Sequence, residues 1–390
     1  MTEPLPTESN FVQLYENAKT EFNRKYGRPA EVVAYATGRV NLIGEHVDYN
    51  DGFVMPMAIP LYTVIVGSPR DSQEKIARVT SLNAPPAEDN EVSLDTHNLS
   101  ELSKPTWVNY VRGVMALFPL PYMAFDGVIS SDVPLGGGLS SSAALEVATF
   151  RFLQQLSESR EAKNFSGVEM AKICQKAEHD YAGMPCGIMD QYIACCAVAN
   201  NALLIDCRSL TAENVPINTP DYVFLVTNSN VKHSLTGSEY PERRRMCHDA
   251  ADRLGQSSLR DKKLLENESK LEPVMFRRAR HAVTEIERAQ QAAIALKSKN
   301  YQEFGRLMVE SHNSLRYDFE VSCKELDELV TLAMECDDVI GSRMTGGGFG
   351  GCTITLCRKN AVEKVKEHVQ AKYSGNPTFF TCKPVGRATE

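Results

Sequence analysis

The sequence has little of what would carry a protein out of the cell, into a membrane or onto nucleic acid. No apolar run approaches the ~18 residues that cross a bilayer. The opening Met1-Thr2-Glu3-Pro4-Leu5-Pro6 has neither a basic start nor an apolar stretch, which predicts no secretory leader. Tryptophan occurs once, at Trp107. The eleven cysteines are an odd number and form no Cys-x-x-Cys pair, and the adjacent Cys195 and Cys196 are too close to share a zinc knuckle. They are expected as reduced, mostly buried thiols in the cytoplasm. Positive charge is in deficit: 42 Lys and Arg against 50 Asp and Glu leave a net charge of −8. That balance disfavours nucleic acid and anionic membranes as partners. Two short basic runs, Arg243-Arg244-Arg245 and Arg277-Arg278-Ala279-Arg280, sit in acid-flanked helical sequence and read as solvated faces. Gly-Lys-Ser/Thr is missing, which excludes a Walker P-loop.

What is present is ordinary globular material, 43% apolar and 24% charged over 390 residues, enough for two domains. Apolar spacing at Phe11, Leu14, Tyr15, Ala18 and Phe22 predicts a first helix stopped by Gly27. Strands are expected near Glu31–Ala36, Val54–Val66 and Tyr122–Ser131, helices at Trp107–Phe118, from Ser140 and at Glu169–Tyr181. Further strands are expected at Ala202–Asp206 and Tyr222–Asn228. Glu239–Met334 reads as helical, and the chain then alternates strand, glycine run, strand, helix, strand to Cys382. Pro, Asn and Thr cluster in Thr211–Pro220, so the domain boundary is expected there, dividing 1–215 from 216–390.

Three segments carry candidate chemistry. Pro134-Leu135-Gly136-Gly137-Gly138-Leu139-Ser140-Ser141-Ser142-Ala143 follows a predicted strand and opens a predicted helix. Glycines allow close backbone approach, and a helix start offers free N–H groups and the positive end of its dipole, which together suit phosphate. The simpler alternative is a tight turn with a serine cap. Gly38-Arg39-Val40-Asn41-Leu42-Ile43-Gly44-Glu45-His46-Val47-Asp48-Tyr49 packs carboxylates and a histidine between apolar anchors, a pattern suited to a polyol or to a polar surface loop. Gly183-Met184-Pro185-Cys186-Gly187-Ile188-Met189-Asp190 sets one carboxylate in a rigid apolar turn, where it serves as a base toward a hydroxyl or as a helix cap. Gly346–Gly351 spells G-x-G-x-x-G but precedes a predicted strand, so a dinucleotide fold is rejected.

Together these segments resemble the GHMP kinases, and most closely their galactose-phosphorylating branch. The likeness runs over nearly the whole chain; the Gly38–Tyr49 stretch is its most specific part. It implies an α+β, two-domain fold with mixed and antiparallel sheets and helices, and an active site in the cleft between the domains. It implies transfer of phosphate from ATP to the anomeric hydroxyl of galactose. Asp190 would be the base, and Arg39 would polarise it and stabilise the moving phosphoryl group. Arg39, Glu45, His46, Asp48, Gly187, Asp190 and Tyr240 would bind the sugar. Gly136, Gly138, Ser140 and Ser141 would hold the ATP phosphates, Ser142 and Glu178 would position Mg2+, and Trp107 would flank the adenine or anchor the core. A monomer or weak homodimer is expected. The family usually has proline before the Gly-Arg pair; here Thr37, β-branched and at home in extended backbone, stands there. Two alternatives remain in view, an N-acetylgalactosamine kinase and a non-catalytic galactose/ATP sensor. The Cys186-Gly187-Ile188 turn argues against the first; the intact Ser142-Ala143 pair and Asp190 argue against the second.

Overall fold

The computed structural model describes residues 5–71, 73–100, 102, 104–217, 219–232, 239–261 and 269–387. Helix α1 (Ser9–Tyr26) buries Phe11, Leu14, Ala18 and Phe22, the stripe that its three- and four-residue spacing requires. It stops at Gly27, whose left-handed φ of +66° lets its N–H turn back to Asn23 O at 3.0 Å. The helix covers one face of a five-stranded sheet. That sheet comprises β1 (Val32–Asn41), β3 (Pro56–Pro69), β4 (Ile76–Ser81), β5 (Glu91–Asp95) and β6 (Phe125–Ser131), in the order β1-β3-β6-β4-β5. Only the β4–β6 pair is parallel. Val64 and Val66 of β3 face α1 with Tyr35 and Tyr62, whereas Ile65 between them faces a second core on the other side. Burial on both faces explains the unbroken apolar run read as strand. Two-residue β2 (Phe53–Val54) is split off its front.

On the second face lie α2 (Val108–Leu117), α3 (Ser141–Leu156), α4 (Gly167–Ala177) and α5 (Met189–Cys196). Helix α4 starts with a capping box between Ser166 and Glu169 and ends in one wider, π-type turn, Glu178–Ala182. Strands β7 (Asn201–Asp206) and β8 (Thr211–Pro216) make a small antiparallel sheet with β2. Thr211–Pro216 is therefore paired strand. Only Val215 of it is buried, which is why its composition reads as a connector.

The last part of the chain supplies β9 (Tyr222–Lys232), β10 (Val339–Thr345), β11 (Gly350–Arg358) and β12 (Thr378–Cys382), an antiparallel sheet in the order β10-β11-β9-β12. The helices of this part are α6 (Glu239–Arg253), α7 (Pro273–Lys297), α8 (Tyr301–Ser314), α9 (Lys324–Met334) and α10 (Val362–Lys372). Leu329, Val365 and Val369 from the last two pack on Leu225 and Cys357 of the sheet. The fold is thus α+β with mixed and antiparallel sheets, as expected. Among the described residues no helix is long and apolar enough to cross a membrane.

Candidate active site

Four connections meet in one cleft of about 820 Å³: the loop after β1, the glycine loop before α3, the turn before α5 and the β10–β11 hairpin. At its floor Arg39 grips Asp190. The guanidinium donates from Nε to Oδ1 and from Nη2 to Oδ2, each at 2.7 Å. This two-pronged geometry fixes the carboxylate's rotation. Ser140 Oγ donates a third hydrogen bond to Oδ2 at 2.5 Å. Arg39 is buried, while the Asp190 side chain keeps 24% of its surface open to the cleft. Arg39 reaches this place because β1 skips a register step between Thr37 and Arg39. Gly38 lets the glycine loop come close to the strand here: a Cβ there would lie 2.9 Å from Leu139 O, the carbonyl that accepts from the Arg39 N–H at 3.1 Å. Thr37 takes the extended backbone expected of it, opposite Tyr62, though its buried hydroxyl finds no hydrogen-bond partner among the described residues.

The part of the cleft expected from sequence to take a sugar is built largely of buried side chains, Glu45 and His46 fully so and Asp48 and Tyr240 in part. Glu45 accepts from Arg343 and, at 3.2 Å, from the Gly346 N–H. Burial pushes its carboxyl upward, and Arg343 pulls it back down. His46 sits between the Tyr49 hydroxyl at 2.7 Å from Nδ1 and Gly347 O at 3.0 Å from Nε2. A carbonyl only accepts, so the ring proton is on Nε2, and Nδ1 accepts from tyrosine. Burial first, then the nearby His281, lowers its pKa to about 3, so the ring is neutral. Tyr240 lies beside that ring, centroids 5.2 Å apart. Burial, followed by the negative charge of Asp190, raises Asp48 to about 6. Its carboxylate lies over Gly187, where a Cβ would come within 1.8 Å of Oδ2.

The part of the cleft expected from sequence to hold phosphate is mostly backbone. Gly136 and Gly138 take φ of +68° and +71°, and Ser140, at +62°, caps α3 in the left-handed region. Against this loop presses the β10–β11 hairpin. A Cβ on Gly346 would lie 2.8 Å from Gly138 O, and one on Gly351 2.9 Å from Gly137 O. Gly346–Gly351 is thus a hairpin turn closing on a loop, not the start of a dinucleotide helix. Ser141 and Ser142 follow on the first turn of α3, and the Ser142 hydroxyl bonds to Glu178. Burial, then the charge of Asp190, raises Glu178 to about 7.

Every site residue expected from sequence except Trp107 lines this cleft. Trp107 lines an adjoining one of about 1020 Å³ that shares Gly136, Ser141 and Ser142 with it, and it also belongs to the core, its Nε1 donating to Asp89 O at 2.8 Å. Trp107 thus lines this second cavity and packs in the core at once. Sequence reasoning missed Gln191 and Glu146. The Gln191 amide donates to Glu178 at 2.6 Å and to the fully buried Glu146 at 3.0 Å, bracing Glu178 from behind. Nothing local marks them, since both sit among apolar residues of amphipathic helices. Among the described residues no group of three or more His, Cys, Asp or Glu stands ready to hold a metal ion alone.

Comparison with known proteins agrees with this geometry. Residues 20–69 match the galactokinase galactose-binding signature, 109–197 the GHMP kinases N terminal domain and 292–375 the GHMP kinases C terminal domain. The galactokinases of Canis lupus familiaris and Homo sapiens are 52% and 51% identical to the chain, with 94% of each partner covered. The Haemophilus influenzae galactokinase is 40% identical, over 94% of this chain and 97% of its own. The crystal structure of Lactococcus lactis galactokinase complexed with galactose superposes with a TM-score of 0.88 at 31% identity, covering 95% of this chain and 98% of that one. A mevalonate kinase at 19% identity and a TM-score of 0.65 shares the fold. The chain belongs to the galactokinase family of the GHMP kinases.

Proposed function

We propose that the cleft transfers the γ-phosphoryl group of ATP to the anomeric hydroxyl of galactose, giving galactose 1-phosphate and ADP, with Asp190 as its base. The observation that carries this is the grip of Arg39 and Ser140 on Asp190, where the buried sugar side meets the glycine loop. As the anomeric oxygen attacks γ-phosphorus in line, its proton passes to the Asp190 carboxylate and the bond to the β-phosphate oxygen breaks. Arg39 and the loop N–H groups offset charge on the moving phosphoryl group. Glu45, His46, Asp48, Gly187 and Tyr240 hold the sugar. Gly136, Gly138, Ser140 and Ser141 hold the phosphates, and Trp107 borders the adenine. Position and electrostatics supply most of the rate.

The hard oxygens of Ser142 and Glu178, hydrogen-bonded at the foot of the glycine loop, suit Mg2+ and would hold it there. When bound, the ion neutralises phosphate charge. A division of the chain near residue 215 leaves the glycine loop and sugar segment in the first part and the closing hairpin in the second. Eleven free thiols and the negative net charge support a cytoplasmic enzyme without nucleic-acid or membrane partners. The test is ADP release across a panel of hexoses with N-acetylgalactosamine included. Galactose is expected to be the best substrate; faster turnover of N-acetylgalactosamine, or turnover of none, overturns the reading.

A further inference from the structure

Beneath the sugar side lies a buried ionic cluster that the mechanism does not use. Arg343 of β10 and Glu285 of α7 have no exposed surface, and Arg288, one turn on from Glu285, is nearly buried. Arg343 donates from Nη2 to Glu45 and from Nη1 to the carbonyls of Asn41 and Leu42, at 3.3 and 3.2 Å. Glu285 Oε1 accepts from the Gly44 N–H at 2.9 Å and from Ser311 Oγ at 2.5 Å. Its Oε2 accepts from Arg288 Nε at 2.7 Å. His281, four residues before Glu285 and so on the same face of α7, approaches Glu45 O at 3.1 Å.

These contacts fall on Gly44 and Glu45, two of the three residues that turn the sugar loop, and His46 follows them directly. Gly44 and His46 have φ of +103° and +61°, and the second is a conformation that costs a histidine energy. Each residue is held from outside: Gly44 through its N–H, Glu45 through its carbonyl and carboxylate, and His46 through its carbonyl, which accepts from Asn50 Nδ2 at 2.9 Å. Two cations, Arg343 and Arg288, face two carboxylates, Glu45 and Glu285. Removing one member leaves a buried charge uncompensated, a far larger penalty than loss of a surface pair.

We propose that Arg343 and Glu285 are positioning residues for the sugar: they hold Gly44–His46 so that Glu45 and His46 face galactose, and they set affinity for the sugar separately from affinity for the nucleotide. The proposal rests on the reading of this cleft as a galactose kinase. Lysine at 343 supplies one point charge, which reaches Glu45 or the backbone carbonyls but not both. Glutamine at 285 keeps the shape and an acceptor for Gly44 but removes the charge.

The experiment measures kcat, KM for galactose, KM for ATP and Tm in the unsubstituted chain, Arg343→Lys and Glu285→Gln, with galactose binding followed by titration calorimetry. In Arg343→Lys the galactose KM should rise by about tenfold or more, as expected for a lost hydrogen bond to a charged group. In Glu285→Gln it should rise by a smaller factor, on the order of threefold to tenfold. KM for ATP should stay within about twofold in both. A drop in Tm with both KM values unchanged, or equal rises in both, assigns the cluster to stability and overturns the proposal. If Arg343→Lys does not fold, Glu285→Gln decides by the same ratio, and failure of both to fold also overturns it. Unchanged variants beside an active parent sink this inference alone; a parent that neither binds nor phosphorylates galactose sinks both readings.

Discussion

The two sides of the cleft solve recognition in opposite ways. On the side proposed to take the sugar, Glu45 and His46 are packed away from water, each tied to a named partner, and Asp48 is half-buried beside Gly187. On the phosphate side, Gly136 is exposed, Gly138 half-exposed, and the donors are backbone N–H groups and serine hydroxyls. A sugar offers hydroxyls of particular handedness, and only side chains held still can tell one arrangement from another. A phosphate chain offers repeated charge, which a bare loop at a helix start meets without choosing. Asp190 stands where the two designs touch, which is why it answers to both.

That contrast can be broken by substitution. The largest effect is expected at the junction: Asp190→Ala should lower kcat by about 10²–10⁴, the range of a lost general base, with the fold kept but Tm lowered, because the buried Arg39 loses its counter-charge. Retention of most activity would remove Asp190 from the chemistry. Arg39→Lys should cost about 10² in kcat or more, because a point charge does not replace the fork that holds the carboxylate. Gly187→Ala puts a methyl group where the Asp48 carboxylate lies. The galactose KM should then rise by about tenfold or more while the ATP KM holds, as displacement of one charged acceptor predicts. Equal rises in both would show that the two sides are one unit.

Acid sharpens the same contrast. Asp48, raised to about 6, gains its proton as pH falls and stops being a charged acceptor. The kcat/KM for galactose should therefore fall as pH drops through 6, tending toward about tenfold per unit below it. The folded form binds this proton more tightly than the unfolded chain, whose ordinary value is 3.8. This group therefore favours folding below 6 and loses that contribution as pH rises, so the acid loss does not come from its unfolding the chain. An acid limb that follows Tm instead would break the assignment. The smallest effect is expected at Trp107→Phe, a rise of about twofold to fivefold in the ATP KM with galactose unaffected, the scale of a weakened aromatic contact.

How much of this was legible beforehand depended on distance along the chain. The glycine loop was legible because strand, turn and helix follow one another directly, and α1 was legible in the spacing of five apolar residues, of which four are buried. The sugar signature was legible because its residues are consecutive. The strand Thr211–Pro216, inside the stretch expected to hold the domain boundary, was not legible because an exposed strand shows no apolar alternation. The π-type turn that swings Glu178 to Ser142 has no sequence mark. Arg343, Glu285 and Gln191 were silent for a deeper reason: each matters through a partner on another element, and no local rule sees it.

The hairpin at Gly346–Gly351 has one more consequence. Because Gly346 and Gly351 meet Gly138 and Gly137 with no room for a methyl group between them, the grip on the nucleotide gains its outer wall only when the far end of the chain arrives. During synthesis the ribosome releases the first part well before its lid exists, so a nascent chain carries the phosphate turn open to water and acquires a finished site only with its last strands.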